Sequence, residues 1–147
     1  MRARHVLALI AALAALAALA APRAADASVN LGLGADWIEG GTGELALTLG
    51  ADKFLARHLS VGGRAGVAFF GDSSDLGIPV DLRLRLHVQR IYFEGLVGPW
   101  FLLDDHDLFR FHGAFGFGIE SGSLDLGLEA GVLKDATMVG LRLAFRL

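Results

Sequence analysis

The sequence contains no cysteine among its 147 residues and only three prolines and one tyrosine. Without cysteine, an exported protein of this size has no disulfide to offset a small core. One long apolar run stands near the N-terminus, and beyond it even the uncharged stretch 95–103 has only nine residues, broken by glycine and proline. Because a transmembrane helix needs about 20 apolar residues, none is predicted after that first run.

Charged residues of either sign are also few. The chain carries 13 basic and 16 acidic residues, for a net charge of −3. The first 27 residues hold three arginines and one aspartate, so the remainder has a net charge of −5. A chain with this balance lacks the basic surface that nucleic acid requires, and we expect no nucleic-acid partner.

The N-terminal segment has the layout of a secretory signal peptide. A basic start, "MRARH", precedes the apolar "VLALIAALAALAALAA", and Pro22 ends any helix before the small residues around Ala25 and Ala27. We expect 1–27 to be a signal peptide, cleaved before Ser28. The alternative, an uncleaved anchor, is less well supported because the apolar run is shorter than a bilayer requires. Residues 28–147 then form one domain.

From Val29 onward the chain divides into segments in which nearly every second residue is apolar. This period of two is typical of β-strands with one apolar face, and eight such segments predict an all-β, eight-stranded antiparallel up-and-down β-barrel. Most segments have 9–12 residues, the length with which tilted strands cross a bilayer. The predicted strands are 29–37, 44–52, 59–70, 78–89, 91–101, 108–120, 124–132 and 137–147.

Short polar or glycine-rich connections separate the strands, as turns require. If both termini face the periplasm, four connections lie at the outer end: 39–43, 71–77, 104–107 and 134–136. The others, at the inner end, are "KFLARH" (53–58), Gln89-Arg90 and "SGS" (121–123).

The two faces of the predicted sheet differ sharply. One carries leucine, valine and phenylalanine without any charge, whereas the other carries eight acids, six arginines, two histidines and many glycines. A soluble lipocalin-like barrel would enclose an apolar ligand with the first face. A transmembrane barrel would turn that face to lipid and enclose the charges.

Three observations favour the transmembrane arrangement. Glycine has no use on a solvated face, but the narrow interior of an eight-stranded barrel needs small neighbours for long arginines. The nearly balanced charges suit an ion-paired interior. Aromatic residues gather near strand ends, as in interfacial girdles, although Tyr92 and Trp100 have the parity of the polar face.

In architecture, residues 28–147 resemble the small bacterial outer-membrane β-barrel proteins, such as the OmpA transmembrane domain and OmpX. The C-terminal "VGLRLAFRL" looks like the alternating signal read by the barrel-insertion machinery, with Phe145 two places before Leu147. The resemblance implies the outer membrane of a Gram-negative cell envelope. It also implies contact with membrane lipid and lipopolysaccharide, and with the insertion machinery during biogenesis.

The charged face supplies the candidate site, a polar network inside the barrel. On adjacent strands joined at Gln89-Arg90, we expect Arg85 to lie opposite Glu94, with His87 nearby. The histidines could act as acid–base groups, but membership of the interior network is the preferred interpretation. The predicted network comprises Arg64, Asp81, Arg83, Arg85, His87, Glu94, Arg110, His112, Glu120, Glu129 and Arg142.

Other chemistry finds weaker support. The loop "DDHD" (104–107), with Asp72 and Asp75, could hold Ca²⁺ or Mg²⁺. Its spacing matches no calcium loop, and a solvated acidic loop is the favoured interpretation. No metal site is therefore predicted. Ser73, Ser74 and His106 lie in loops, and "GAFGFG" (113–118) matches a nucleotide fingerprint only superficially. We therefore expect a structural or interaction protein, non-enzymatic and without cofactor or open pore. The alternative is a soluble exported barrel that binds a small apolar ligand.

Overall fold

In the computed structural model, which describes residues 27–72, 75–103 and 108–147, the chain forms one closed antiparallel β-barrel. Each strand pairs with its neighbours in the sequence, and β1 pairs with β8 to close the barrel. The predicted up-and-down topology is therefore confirmed. The strands are β1 (Ala27–Ile38), β2 (Thr42–Ala56), β3 (Leu59–Phe70), β4 (Leu76–Val88), β5 (Ile91–Leu102), β6 (Phe109–Ser121), β7 (Leu124–Leu133) and β8 (Ala136–Arg146).

The barrel has two ends, which we call the loop end and the terminal end. At the loop end lie the β1–β2, β3–β4, β5–β6 and β7–β8 connections. There the Glu39 carboxylate accepts hydrogen bonds from the backbone N–H and hydroxyl of Thr137, which lower its pKa. The terminal end holds both chain ends of the described barrel and the other three turns. Among the described residues, no helix could cross a membrane.

Strand β2 extends further than its sequence suggested. Residues 53–56, assigned above to the "KFLARH" connection, continue the ladder with β3, and a β-bulge lies between Phe54 and Ala56. Asp52 is the last buried residue of β2, and the four residues that follow are exposed although their backbone remains paired with β3. Only two residues are then needed for the turn to β3.

Side chains alternate between an apolar outer face and the interior, as the sequence predicted. Along β4, Leu82, Leu84 and Leu86 are exposed, whereas Asp81, Arg83 and Arg85 are buried. This arrangement buries charge and exposes leucine, the reverse of a soluble globular protein.

The interior is not polar throughout. Toward the loop end it is filled by an apolar plug, and Trp100 is fully buried there, 1% exposed. Tyr92 is buried inside the lumen toward the terminal end. These two aromatics therefore belong to the interior and not to a girdle, as their parity dictates. The plug consists of Ile38, Ala46, Ala68, Phe70, Trp100, Leu102, Leu133 and Met138.

The ion-paired interior as candidate functional site

All eleven residues of the predicted polar network occupy inward-facing positions of their strands. Hydrogen bonds and ion pairs connect these side chains with other residues of the lumen. Arg110 lies near the loop end of β6, half-buried and opposite Trp100 on β5. The network spans the barrel from its terminal end to the base of the apolar plug.

The middle of the lumen is organised around Glu129 on β7. Its carboxylate accepts two hydrogen bonds from Arg64 across the barrel, at 2.8 and 2.9 Å, and two from Arg142 on the adjacent strand, at 2.9 and 3.1 Å. Arg64 also donates from Nε to Asp81, at 2.9 Å. Such bidentate, charge-assisted bonds are the strongest available to a buried carboxylate.

Asp81 connects the side chains around Glu129 with the apolar plug. Its Oδ1 lies 2.7 Å from His112 Nδ1 and 3.3 Å from the Trp100 indole nitrogen, which donates to it. The Trp100 and His112 rings pack together with centroids 4.8 Å apart. His112 is completely buried and takes part in both packing and hydrogen bonding.

A second layer lies nearer the terminal end. Arg83 binds the Asp52 carboxylate with two nitrogens, and Asn30 donates to the same carboxylate at 3.2 Å. Arg85 binds Glu94 at 2.9 and 3.1 Å and Asp125 at 2.8 Å. The predicted register is confirmed here, since Arg85 pairs with Glu94 across β4 and β5.

Asp36 and Glu44 form a buried acidic pair at the level of the plug, with Glu44 opposite Phe70 on β3. They are directly opposite each other on β1 and β2. An Arg142 nitrogen lies 2.8 Å from Asp36, an ion pair by distance although not a well-directed hydrogen bond. Glu44 is 3% exposed, and its carboxylate oxygens have no hydrogen-bond partner within the described residues. Such burial of an acid is costly and marks this as the least satisfied part of the lumen.

Glycines provide the space for these side chains. A Cβ on Gly34 would come within 2.8 Å of the Arg142 guanidinium, and one on Gly50 within 2.9 Å of Arg83. On Gly116 it would approach Glu94 at 3.0 Å. The sequence argument that long arginines need small neighbours therefore has a direct counterpart in the structure.

His87 has partners that the sequence did not indicate. As expected, it shares the inward face with Glu94 near the β4–β5 turn, and its ring lies between Glu120 of β6 and Ser60 of β3, at 2.9 Å from each. Ser60 was not a candidate, because one serine on a strand carries no pattern that sets it apart. Alternation identified the face of each residue, but not its neighbours across the lumen.

The acidic loop 104–107, with His106, and Ser73 and Ser74 lie outside the described residues, as does nearly all of the predicted signal peptide. Within the described residues, no group of three or more histidine and acidic side chains is arranged to hold a metal ion.

Comparisons with known proteins support the fold. No protein-family model matches the chain, and no curated protein matches it. Among solved structures, a barrel described under de novo design of transmembrane β-barrels is similar, with a TM-score of 0.67 and 16% identity, over 82% of this chain and 95% of that one. The solution NMR structure of the de novo designed TMB2.3 is also similar, with a TM-score of 0.64 and 19% identity. This similarity covers 86% of this chain and 98% of that one. At these identities the likeness shows the fold alone, which is that of a transmembrane β-barrel.

Proposed function

We propose that this protein is a structural or interaction component of a Gram-negative outer membrane, with a closed, ion-paired interior. The observation that carries the proposal is the inverted distribution of side chains. Buried arginines and carboxylates fill the lumen while leucine, valine and phenylalanine cover the outside. In water that outer face would be a very large exposed apolar surface, whereas in lipid it is the surface expected of a transmembrane barrel.

The interior argues against the soluble alternative. The cavity that opens at the terminal end has a volume of about 80 Å³ and is lined mainly by polar and charged residues. Sites for small ligands are usually apolar and have volumes of roughly 300–1,000 Å³. A lipocalin-like barrel that encloses an apolar ligand therefore has no support from this lumen.

We propose the outer membrane as the location, and the insertion machinery, membrane lipid and lipopolysaccharide as partners. In β8, Val139, Leu141 and Phe145 are exposed on the outer face, as a strand read by the insertion machinery would require. Membrane lipid would cover this face, and lipopolysaccharide would surround the loop end. No catalytic role is part of this proposal.

Fractionation of a Gram-negative host expressing the full chain tests it. We expect the folded protein in the outer-membrane fraction, extracted by detergent and not by alkaline carbonate. A matched variant with Leu126→Arg and Leu141→Arg on the outer face should be lost from that fraction. A protein that remains monodisperse in buffer without detergent would contradict the proposal and favour the soluble alternative.

A further inference from the structure

Three side chains at the terminal end of the lumen form a relay that a purely structural barrel does not require. Ser60 Oγ lies 2.9 Å from His87 Nε2, and His87 Nδ1 lies 2.9 Å from Glu120 Oε1. Ser60 and His87 lie on the paired strands β3 and β4, whereas Glu120 comes from β6, which is not a neighbour of either strand. Serine on one ring nitrogen and a carboxylate on the other is the connectivity of a nucleophile, its base and an orienting acid.

The hydrogen bonds place the imidazole in the tautomer that a base needs. Because a carboxylate accepts hydrogen bonds and does not donate them, Nδ1 carries the proton that faces Glu120. Nε2 is then an acceptor for the Ser60 hydroxyl. Two guanidiniums accompany Glu120, with Arg146 at 3.2 Å and Arg85 at 3.7 Å.

The relay is held in place by packing and borders a small cavity at the terminal end. The Phe54 ring, on the inner side of the β2 extension, packs on the His87 ring with centroids 5.0 Å apart. Ser60 is 1% exposed, but it lines the cavity of about 80 Å³ at the terminal end together with His87 and Glu120. A space of this size accommodates a few water molecules or a short acyl group.

We propose that Ser60 is a nucleophile that accepts a short acyl group from an activated ester entering at the terminal end. As the Oγ–acyl bond forms, the hydroxyl proton moves to His87 Nε2. The ester C–O bond then breaks, and His87 returns that proton to the leaving alkoxide. Water attacks the acyl-serine in the second half, giving its proton to His87 and releasing the carboxylic acid, and Ser60 recovers its hydrogen. Arg85 and Arg146 line the same cavity and supply positive charge for the developing oxyanion.

This activity goes beyond the proposed structural role and does not depend on it. It also departs from the expectation, based on sequence, of a protein without a catalytic function. Failure of the labelling experiment below would leave the membrane location untouched, and a soluble protein could still carry the relay.

The first test uses the full chain folded in detergent micelles, with p-nitrophenyl acetate and a fluorophosphonate reagent as probes. We expect acetate release and a single covalent adduct at Ser60, located by peptide mass spectrometry. Ser60→Ala should abolish the adduct, and His87→Gln should slow its formation by about 100-fold or more. Glu120→Gln should slow it as well. Ser123→Ala, in the β6–β7 turn at the same end, is the control and should react as the unaltered protein does.

A second variant separates reactivity from misfolding. The chain has no cysteine, so in Ser60→Cys any alkylation by iodoacetamide reports on position 60 alone. Alkylation should slow when His87→Gln is added, with the folded barrel verified by its heat-dependent mobility in gels. If the unaltered protein is labelled no faster than Ser60→Ala, the proposal is wrong. Alkylation of Ser60→Cys that does not depend on His87 likewise identifies the trio as a structural cluster only.

Discussion

Several arginines in this lumen each bind more than one carboxylate. Arg64 joins Asp81 to Glu129, and Arg85 joins Glu94 to Asp125. Burial removes water from both charges of an ion pair, and their attraction offsets that cost only when the remaining hydrogen-bonding groups also have partners. A guanidinium that binds two carboxylates has partners for more of its N–H groups. The arginines therefore connect strands that are not neighbours in the sheet.

Removal of Arg85 should be more harmful than removal of one of its acids. Arg85→Ala removes the guanidinium that Glu94 and Asp125 share and leaves them only Arg83 at 4.0 Å and the partly exposed Arg146 at 2.9 Å, at an expected cost of about 3–5 kcal/mol in free energy of unfolding. Glu94→Ala should cost less, since Arg85 keeps Asp125. We expect the variant with both Arg85→Ala and Glu94→Ala to lose less stability than the sum of the two single losses. Urea unfolding in lipid vesicles measures all three free energies of unfolding.

Arg90, exposed in the β4–β5 turn, provides the matched control. Arg90→Ala should change the stability by no more than about 0.5 kcal/mol. Additive costs for Arg85→Ala and Glu94→Ala would mean that the two side chains do not interact.

On the outer face, the cost of a charge should depend on depth. Leu82 is the middle residue of β4 and is 68% exposed, whereas Val88 ends the same strand on the same face. Leu82→Arg should cost about 2–4 kcal/mol in a bilayer, and Val88→Arg about 0–1 kcal/mol. Vesicle unfolding measures both. Equal costs, or no cost at Leu82, would contradict a lipid-facing outer surface.

At the scale of elements, β6 and β7 approach Tyr92 through a glycine pair. Gly118 and Gly127 are directly opposite each other, and a Cβ on either would collide with the Tyr92 ring or its hydroxyl oxygen. The ring also packs against the Arg85 guanidinium at 4.0 Å. The glycine pair thus allows an aromatic ring to lie within a narrow lumen.

Gly127→Ala should therefore destabilise the barrel by overpacking, by about 1–3 kcal/mol. Tyr92→Phe in the same chain should recover part of the loss, because the added methyl group would meet the hydroxyl oxygen. Unfolding of the two single variants and the double variant measures the coupling. Gly95→Ala is the control, since a Cβ there meets no atom within 4 Å. A penalty for Gly127→Ala that persists unchanged without the hydroxyl would refute the steric explanation.

The end of β7 offers a direct comparison between the plug and the outer face. Leu133 is buried in the plug, and Val132 beside it is 41% exposed on the outside. Leu133→Ala leaves a cavity and should cost about 2–5 kcal/mol. Val132→Ala leaves no cavity and should cost clearly less. Thermal or urea unfolding distinguishes the two, and equal losses would argue against a packed plug.

At the scale of the whole molecule, the plug and the ion pairs together should close the lumen to ions. An eight-stranded barrel has an interior just wide enough for side chains, and here charged residues occupy one part and apolar residues the other. Planar-bilayer recordings of the purified protein should show no stable conductance. Large, regular single-channel steps would reveal a wider or oligomeric pore.

The sequence by itself determined the number of strands, all but one of their bounds to within two residues, and the face of each residue. Period-two alternation does this because adjacent side chains of a strand must point to opposite sides of the sheet. It also determined the β4–β5 register, since the short Gln89-Arg90 turn leaves Arg85 opposite Glu94. It missed the plug because the predicted strands ended at 37, 101 and 132. Ile38, Leu102 and Leu133 were thus each left one residue outside.

Only the tertiary structure decided which side chains meet across the lumen. Arg64 reaches Glu129, which is 65 residues away, and His87 lies between Ser60 and Glu120. Alternation assigns these residues to the interior, but their relative depth depends on the tilt and stagger of the closed barrel. Those quantities arise from the registers of all eight strand pairs together. No local pattern in a single strand contains them.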